Sequence, residues 1–330
     1  MIWLTWRQHR SQIVVAFAAL GAVAITLAIT GVQLRHSYDD TLAGCRAHGG
    51  CGTALAAFGS QYGLLETYVS AVLIAVPGLI GAFWGAPLVT RELETGTYQL
   101  AWSQSVPRTR WLVVKLGSVA AAGMAASGLL SLLVTWWAGP LDHAHADRFT
   151  PEAFAARGVV PIGYAAFAVA LGVVSGVLIR RTVPAMAVTL AVFAAVQIVM
   201  PLAVRPVLMP PARSTVALDA GTLAAASSIE VRGSGSDSRL YVGLSHPDSW
   251  VLSKDPAVDP AGRAYQGAES CLAAGQAQFT ACVAEAGLQQ AETYQPADRY
   301  WRFQWFEAAI FLALAGGLAG LGLWAVRRLE

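Results

Sequence analysis

Charge is what this sequence has least of. Of its 330 residues only 13% are Asp, Glu, Lys or Arg, while 55% are hydrophobic. A soluble domain carries about a quarter charged residues, so this chain lacks the polar surface that a water-soluble fold of its size requires. Lysine is nearly missing. Lys115 and Lys254 stand alone, and neither is preceded by Gly and followed by Ser or Thr. That excludes a P-loop, whose lysine reaches the phosphates of a nucleotide. No HExxH and no GxSxG occurs, which removes the common zinc-protease and serine-hydrolase signatures. Paired acids or histidines, which an intramembrane protease or proton-coupled carrier needs, are absent from the middle of the apolar runs. His143 and His145 form an isolated His-x-His without a third ligand at metal-site spacing, and read as solvated. The chain therefore reads as neither an enzyme nor the holder of a metal.

What is present is long uncharged sequence. A bilayer core asks for about 20 apolar residues per helix. Six stretches approach or exceed that length: 13–33, 67–90, 116–141, 158–179, 182–204 and 308–326. Many are rich in Ala and Gly, which suits helices packed against helices in lipid. The first run exceeds the apolar core of a signal peptide and has no convincing small-x-small cleavage site before Arg35, so it reads as a retained membrane helix. Spacings of Gly-x-x-x-Gly at 81/85, 172/176 and 316/320 allow close packing, and Pro77 is placed to bend the second run.

Charge sorts the segments between the runs. Residues 1–12, 91–115, 180–181 and 327–330 hold ten basic residues against three acids. The remaining segments hold twelve basic residues against seventeen acids. Short loops rich in Lys and Arg stay cytoplasmic, so both termini are expected inside. Trp136, Trp137, Tyr300, Trp301 and Trp305 then fall at outer boundaries, where amphipathic rings favour the headgroups. MIWLTWRQHR (1–10) is either a short interfacial helix or an ordinary basic flank. Glu66 and Glu307 fall at the outer edges of spans two and six, placed to line a vestibule or to be solvated at the interface.

All four cysteines lie on the expected outer side. Disulfides persist in oxidising compartments, and locality favours Cys45–Cys51 and Cys271–Cys282 over the other pairings, free thiols being the alternative. Cys271 and Cys282 are too far apart along one continuous helix to be bridged, so the chain is expected to turn between them near Gly275. The outer segment 205–302 opens with Pro206, Pro210 and Pro211, passes a Gly/Ser-rich patch at 232–238 and a strand-like LYVGL at 240–244, and reads as helical from about Ala268 to Ala291.

On the inner side the longest piece is 91–110. Gly96 is placed to break the helix leaving span two, Thr97 to cap a short new helix, and Pro107 to end it. Tyr98, Ala101, Trp102 and Ser105 would share one face of that helix, with Glu92 and Glu94 at its root and Arg108 and Arg110 at its exit. This is either a partner-docking element or a re-entry loop.

The stretch RELETGTYQLAWSQSVPRTRWLVVK (91–115) resembles the cytoplasmic segment of type-2 permease subunits of ATP-binding-cassette (ABC) exporters. The matching residues are Glu92, Glu94, Gly96, Thr97, Pro107, Arg108 and Lys115, with Ser105 preceding rather than following the proline. The opening MIWLTWRQHR and the closing YQPADRYWRFQWFE look similar to a subgroup common in high-GC Gram-positive bacteria. The resemblance implies a pair of permease subunits, identical or not, each served by a separate ATPase that carries the ATP and Mg. It implies that the ATPase holds the inner helix in a groove, with Glu92, Glu94, Gly96, Thr97, Tyr98, Trp102 and Arg108 at the coupling site.

The expected architecture is thus an all-α protein of the cell membrane with six spans. Residues 1–12 form an inner interfacial segment and 13–204 hold spans one to five. Residues 205–302 form an extracytoplasmic domain, and 303–330 hold span six and a cytoplasmic tail. An uncharged Ala/Gly/Leu-lined path favours export of a hydrophobic or amphipathic substrate. The alternative is a membrane sensor whose outer domain binds a ligand.

Overall fold

The computed structural model describes residues 2–48, 50–96, 107–145, 148–224, 226, 228–233, 237–244, 248–266, 271 and 276–328; for 2–17, 19, 48, 145, 276 and 277 it describes the backbone alone. The chain divides into two units. Unit 1 comprises residues 1–146, 151–205 and 301–330, and unit 2 comprises 147–150 and 206–300.

Unit 1 is built from helices. α1 runs Ile2–His48 without interruption, and α2 follows after a turn at Gly50, from Cys51 to Ile80. The expected outer loop between the first two runs is therefore helical: both helices continue past the apolar runs and meet at a tip joined by the Cys45–Cys51 disulfide. Below the tip, Tyr38, Phe58 and Tyr62 pack edge-on or tilted, and Tyr62 donates to Ser37 Oγ at 3.2 Å. Beyond Ile80 one π-helical turn, Gly81–Gly85, leads into α3, Pro87–Thr95. The turn lies four residues after Pro77, which sits inside α2.

α4 (Arg108–His145), the short α5 (Pro151–Ala156), α6 (Val160–Ile179), α7 (Thr182–Val199) and α10 (Tyr300–Arg327, the last helix of the chain) complete the unit. Five of the described helical segments are long and apolar enough to cross a membrane: Cys51–Thr95, Arg108–Ala144, Val160–Ile179, Thr182–Val207 and Ala297–Arg327. α6 is the hub. In its apolar window 83% of residues are buried, against 17% in the α7 and α10 segments. Glycine makes this possible. A Cβ at Gly172 would fall on the carbonyl oxygen of Gly81, and one at Gly81 on that of Ala168. Gly176 and Gly85 are equally close: added Cβ atoms would stand 2.9 Å from the carbonyl oxygens of Ala86 and Val169. Two of the three Gly-x-x-x-Gly spacings thus face each other across one contact. The third does not, since nothing lies within 4 Å of a Cβ at Gly316 or Gly320.

Trp137 departs from its expected place at the headgroup level. It is fully buried, and its Nε1 donates to Thr30 Oγ1 at 3.1 Å. Its neighbour Trp136 stays partly exposed under the Arg35 guanidinium, 4.5 Å above the ring. Trp301 and Trp305 are more than half exposed.

Unit 2 overturns the all-α expectation. It holds a three-stranded antiparallel sheet in the order β1-β5-β4 and a β2–β3 hairpin. The strands are β1 (Ala212–Ala217), β2 (Ser228–Arg232), β3 (Arg239–Gly243), β4 (Trp250–Lys254) and β5 (Gln289–Gln295). Among the described residues, helices α8 (Ala220–Ala224) and α9 (Gln276–Glu285) accompany them. The expected helix from Ala268 to Ala291 ends at Glu285: Gly287 takes φ 60, and the chain continues as β5. Gln290 and Glu292, two residues apart on one face of β5, are buried, while Gln289 is exposed. The buried Gln290 amide and Glu292 carboxylate serve the hairpin and the residue after it, while Gln295 donates to Met209 O at 2.8 Å. Gln290 accepts from Val242 N at 2.8 Å and donates to Val242 O at 2.6 Å, and Glu292 accepts from Leu244 N at 3.3 Å. Leu218, Leu240, Val242, Phe279, Val283 and Leu288 form the core, beside the Cys271–Cys282 disulfide. Gly275, where the turn between these cysteines is expected, lies outside the described residues.

Replacing Gly172 by Val is expected to destabilise the helical unit by about 1–3 kcal/mol, the cost of overpacking a close contact. Gly317→Val, where nothing lies within 4 Å, is expected to change little. Thermal unfolding in detergent micelles checks both.

Candidate functional site

α3 carries the two acids singled out in the sequence. It ends at Gly96, whose φ of 70 lies in the left-handed region that glycine adopts without penalty. Glu92 and Glu94 are two residues apart on a helix and so point about 200° away from each other around its axis. They serve different partners. Glu92 forms an ion pair with Lys115 of α4. The Lys115 side chain is 11% exposed, and its ammonium lies 4.6 Å above the ring of the buried Trp111. A lysine this enclosed needs its counter-charge.

Glu94 reaches across to the start of α7. Its Oε1 accepts the backbone N–H of Thr182 at 2.8 Å, and its Oε2 accepts the Thr182 hydroxyl, also at 2.8 Å. The first N–H groups of a helix have no partner within the helix. Arg181 precedes α7 in extended conformation and supplies no side-chain cap, so a carboxylate from α3 takes the role that a capping Ser or Asp plays elsewhere. Thr90 joins the contact, its Oγ1 2.9 Å from Thr182 Oγ1. The link between α6 and α7 is only Arg180 and Arg181. Arg180 adopts φ 57 and closes α6 by donating its N–H to Gly176 O at 3.0 Å. Of the other expected coupling residues, Thr97, Tyr98 and Trp102 lie outside the described residues. Arg108 opens α4 and is partly buried.

A second polar cluster sits at the opposite end of α6. Glu307 of α10 is wholly buried rather than solvated or open to a vestibule. It accepts from Arg205 Nε at 2.9 Å, from Arg205 Nη2 at 3.0 Å and from the Tyr164 hydroxyl at 2.5 Å. Arg205 is equally buried, and its guanidinium lies 4.2 Å over the Phe154 ring. One turn earlier on α10, Gln304 accepts the N–H groups of Val159 and Val160 at 3.0 and 3.1 Å, and donates to Phe154 O at 3.0 Å. It thereby caps α6, just as Glu94 caps α7. Nearby, the buried Arg157 pairs with Glu66 and with Asp142, the latter at 2.5 Å. Glu66 thus belongs to a three-residue ionic cluster joining α2, the α5–α6 turn and α4.

Thr182, Tyr164, Gln304, Arg157 and Arg205 are the residues that sequence reading did not single out. Arg205, immediately past an apolar run, carried a signal in its position. The others carried none, because their partners lie between 15 and 150 residues away. Among the described residues no group of three or more His, Cys, Asp or Glu is arranged to hold a metal ion.

Among the described residues, five apolar helices long enough to cross a membrane, packed around a glycine-lined hub, define a multi-pass membrane protein. The sequence matches the family described as ABC-2 membrane transporter related over residues 17–205, and the chain belongs to that family. It is a transporter permease component and not itself a catalytic subunit. No curated protein and no solved structure matches the chain.

Removing one partner of a buried ion pair leaves a stranded charge and costs about 3–5 kcal/mol, whereas replacing both by apolar groups is often neutral. Glu307→Ala is therefore expected to destabilise strongly, and Arg205→Met together with Glu307→Leu to recover most of the loss. Equilibrium unfolding in mixed micelles separates the two.

Proposed function

We propose that this chain is the permease subunit of an ABC exporter, with six spans and both termini cytoplasmic. It moves a hydrophobic or amphipathic substrate outward, powered by a separate ATPase that docks on 91–110. The observation that carries the reading is a pairing of two facts. The permease family spans residues 17–205, and these 330 residues hold no P-loop lysine, which supports a nucleotide site on a separate ATPase. The inner segment suits that role because it lies between the ends of α3 and α4 and its acids are tied to α4 and α7. The sixth span is the apolar run 13–33 within α1, and the excess of Lys and Arg in the short segments sets the orientation. Unit 2 and the two disulfides then lie outside, in the compartment where such bonds persist. A second permease subunit completes the path, and ATP and Mg are bound by the ATPase.

Affinity purification of the full chain from its native membrane in mild detergent is expected to bring down an ATPase subunit in stoichiometric amount. A chain that comes down alone, in membranes where it is normally expressed, counts against the reading.

A further inference from the structure

We propose that Glu92 and Glu94 are positioning residues of the inner segment, which carry its displacement to α4 and α7 through their bonds to Lys115 and Thr182. The inference rests on the permease reading above and asks what the two acids do within it.

Glu94 places one oxygen on the backbone N–H of Thr182 and the other on its hydroxyl, each at 2.8 Å, while its side chain stays exposed. The negative charge also faces the positive end of the α7 macrodipole. Glu92 faces a lysine that is nearly enclosed and stacked on Trp111. Each interaction is charge-assisted, the stronger class of hydrogen bond, and each joins α3 to a different helix.

The mechanics follow from where the acids sit. A push on the segment after Gly96 reaches α3 at its last turn, and that turn holds both carboxylates. Through Glu94 the movement arrives at the first backbone amide of α7. Through Glu92 it arrives two turns into α4, at Lys115. α6 is keyed to the chain just before α3 by Gly172 and Gly176, and α7 follows α6 after only Arg180 and Arg181. The helices around the hub are thus reached from α3 by side chains as well as by backbone packing.

A variant on the far side of the contact provides the test. Thr182→Pro removes both donors used by Glu94 without touching Glu94. Proline is accepted at the first helical position, and Arg181, at φ −133 and ψ 129, already has the extended conformation required before it. In the complex purified with its ATPase, two quantities are measured. One is the ATPase-to-permease ratio. The other is the change in hydrogen exchange between the nucleotide-free and the ADP-vanadate states, read over α7 for the Glu94 contact and over α4 for the Glu92 contact. Positioning requires that Glu94→Ala and Thr182→Pro both keep the wild-type ratio and both shrink the exchange response, by about tenfold if the lost bonds have the usual strength of hydrogen bonds to a charged group. The exchanged pair Glu92→Lys with Lys115→Glu is expected to recover the response that Glu92→Ala loses, and Thr182→Ala, which keeps the N–H, to fall between.

Loss of the ATPase from Glu94→Ala alongside a normal ratio and response in Thr182→Pro would make the carboxylate a docking contact. That overturns the inference and leaves the permease reading standing. Failure of the exchanged pair to recover the response overturns it for Glu92. Absence of any ATPase from the wild-type preparation overturns the permease reading itself, and the inference with it.

Discussion

The close approach of α6 to the π-helical turn is the contact on which the helical unit depends. Backbone atoms there lie where a side chain would otherwise be, with Gly172 against Gly81 and Gly176 against Ala86. In lipid the hydrophobic effect gives helices little reason to associate, and such packing takes its place. Once α6 is seated, its two ends are fixed relative to α2 and α3. The residues that cap those ends then have defined targets. Gln304 from α10 meets the amides at the start of α6, and Glu94 from α3 meets the amide that opens α7 just past its end. At the buried start of α6 an unsatisfied N–H would cost several kcal/mol, and each cap ties a helix to a neighbour distant in sequence.

The apolar helices were legible in the sequence because length and lack of charge are properties of a contiguous run. So was the end of α3, since Gly96 has no competitor for a left-handed position there. The glycine spacings were legible as a pattern but not as a contact: 81/85 and 172/176 meet, while 316/320 on α10 has open space around it. Sequence spacing says that a helix face is small, not what it faces.

The polar clusters were the least legible. Glu307 was visible as a charge at the edge of an apolar run, a position that suits solvation equally well. What buries it is Arg205, 102 residues earlier, and the Tyr164 hydroxyl. Unit 2 was misread for a related reason. The alanine-rich stretch after Cys271 has helix-forming composition, yet from Gln289 the chain adds to a sheet whose other strands lie far away in sequence. Tertiary pairing overrides local propensity there.

The Arg205–Glu307 pair also bears on how the chain is made. Arg205 is fully buried six residues past α7, but its counter-charge is synthesised 102 residues later. At about 5–20 residues per second, that is an interval on the order of ten seconds. During it the guanidinium must stay hydrated or at the lipid surface, because an unpaired charge in the bilayer interior is costly. The far end of α7 therefore cannot take its final place until α10 arrives, whereas the contact of α6 with α2 and α3 needs nothing made after Gly176. Assembly has a built-in order: the glycine-packed hub first, the ionic closure last, with unit 2 completed in between.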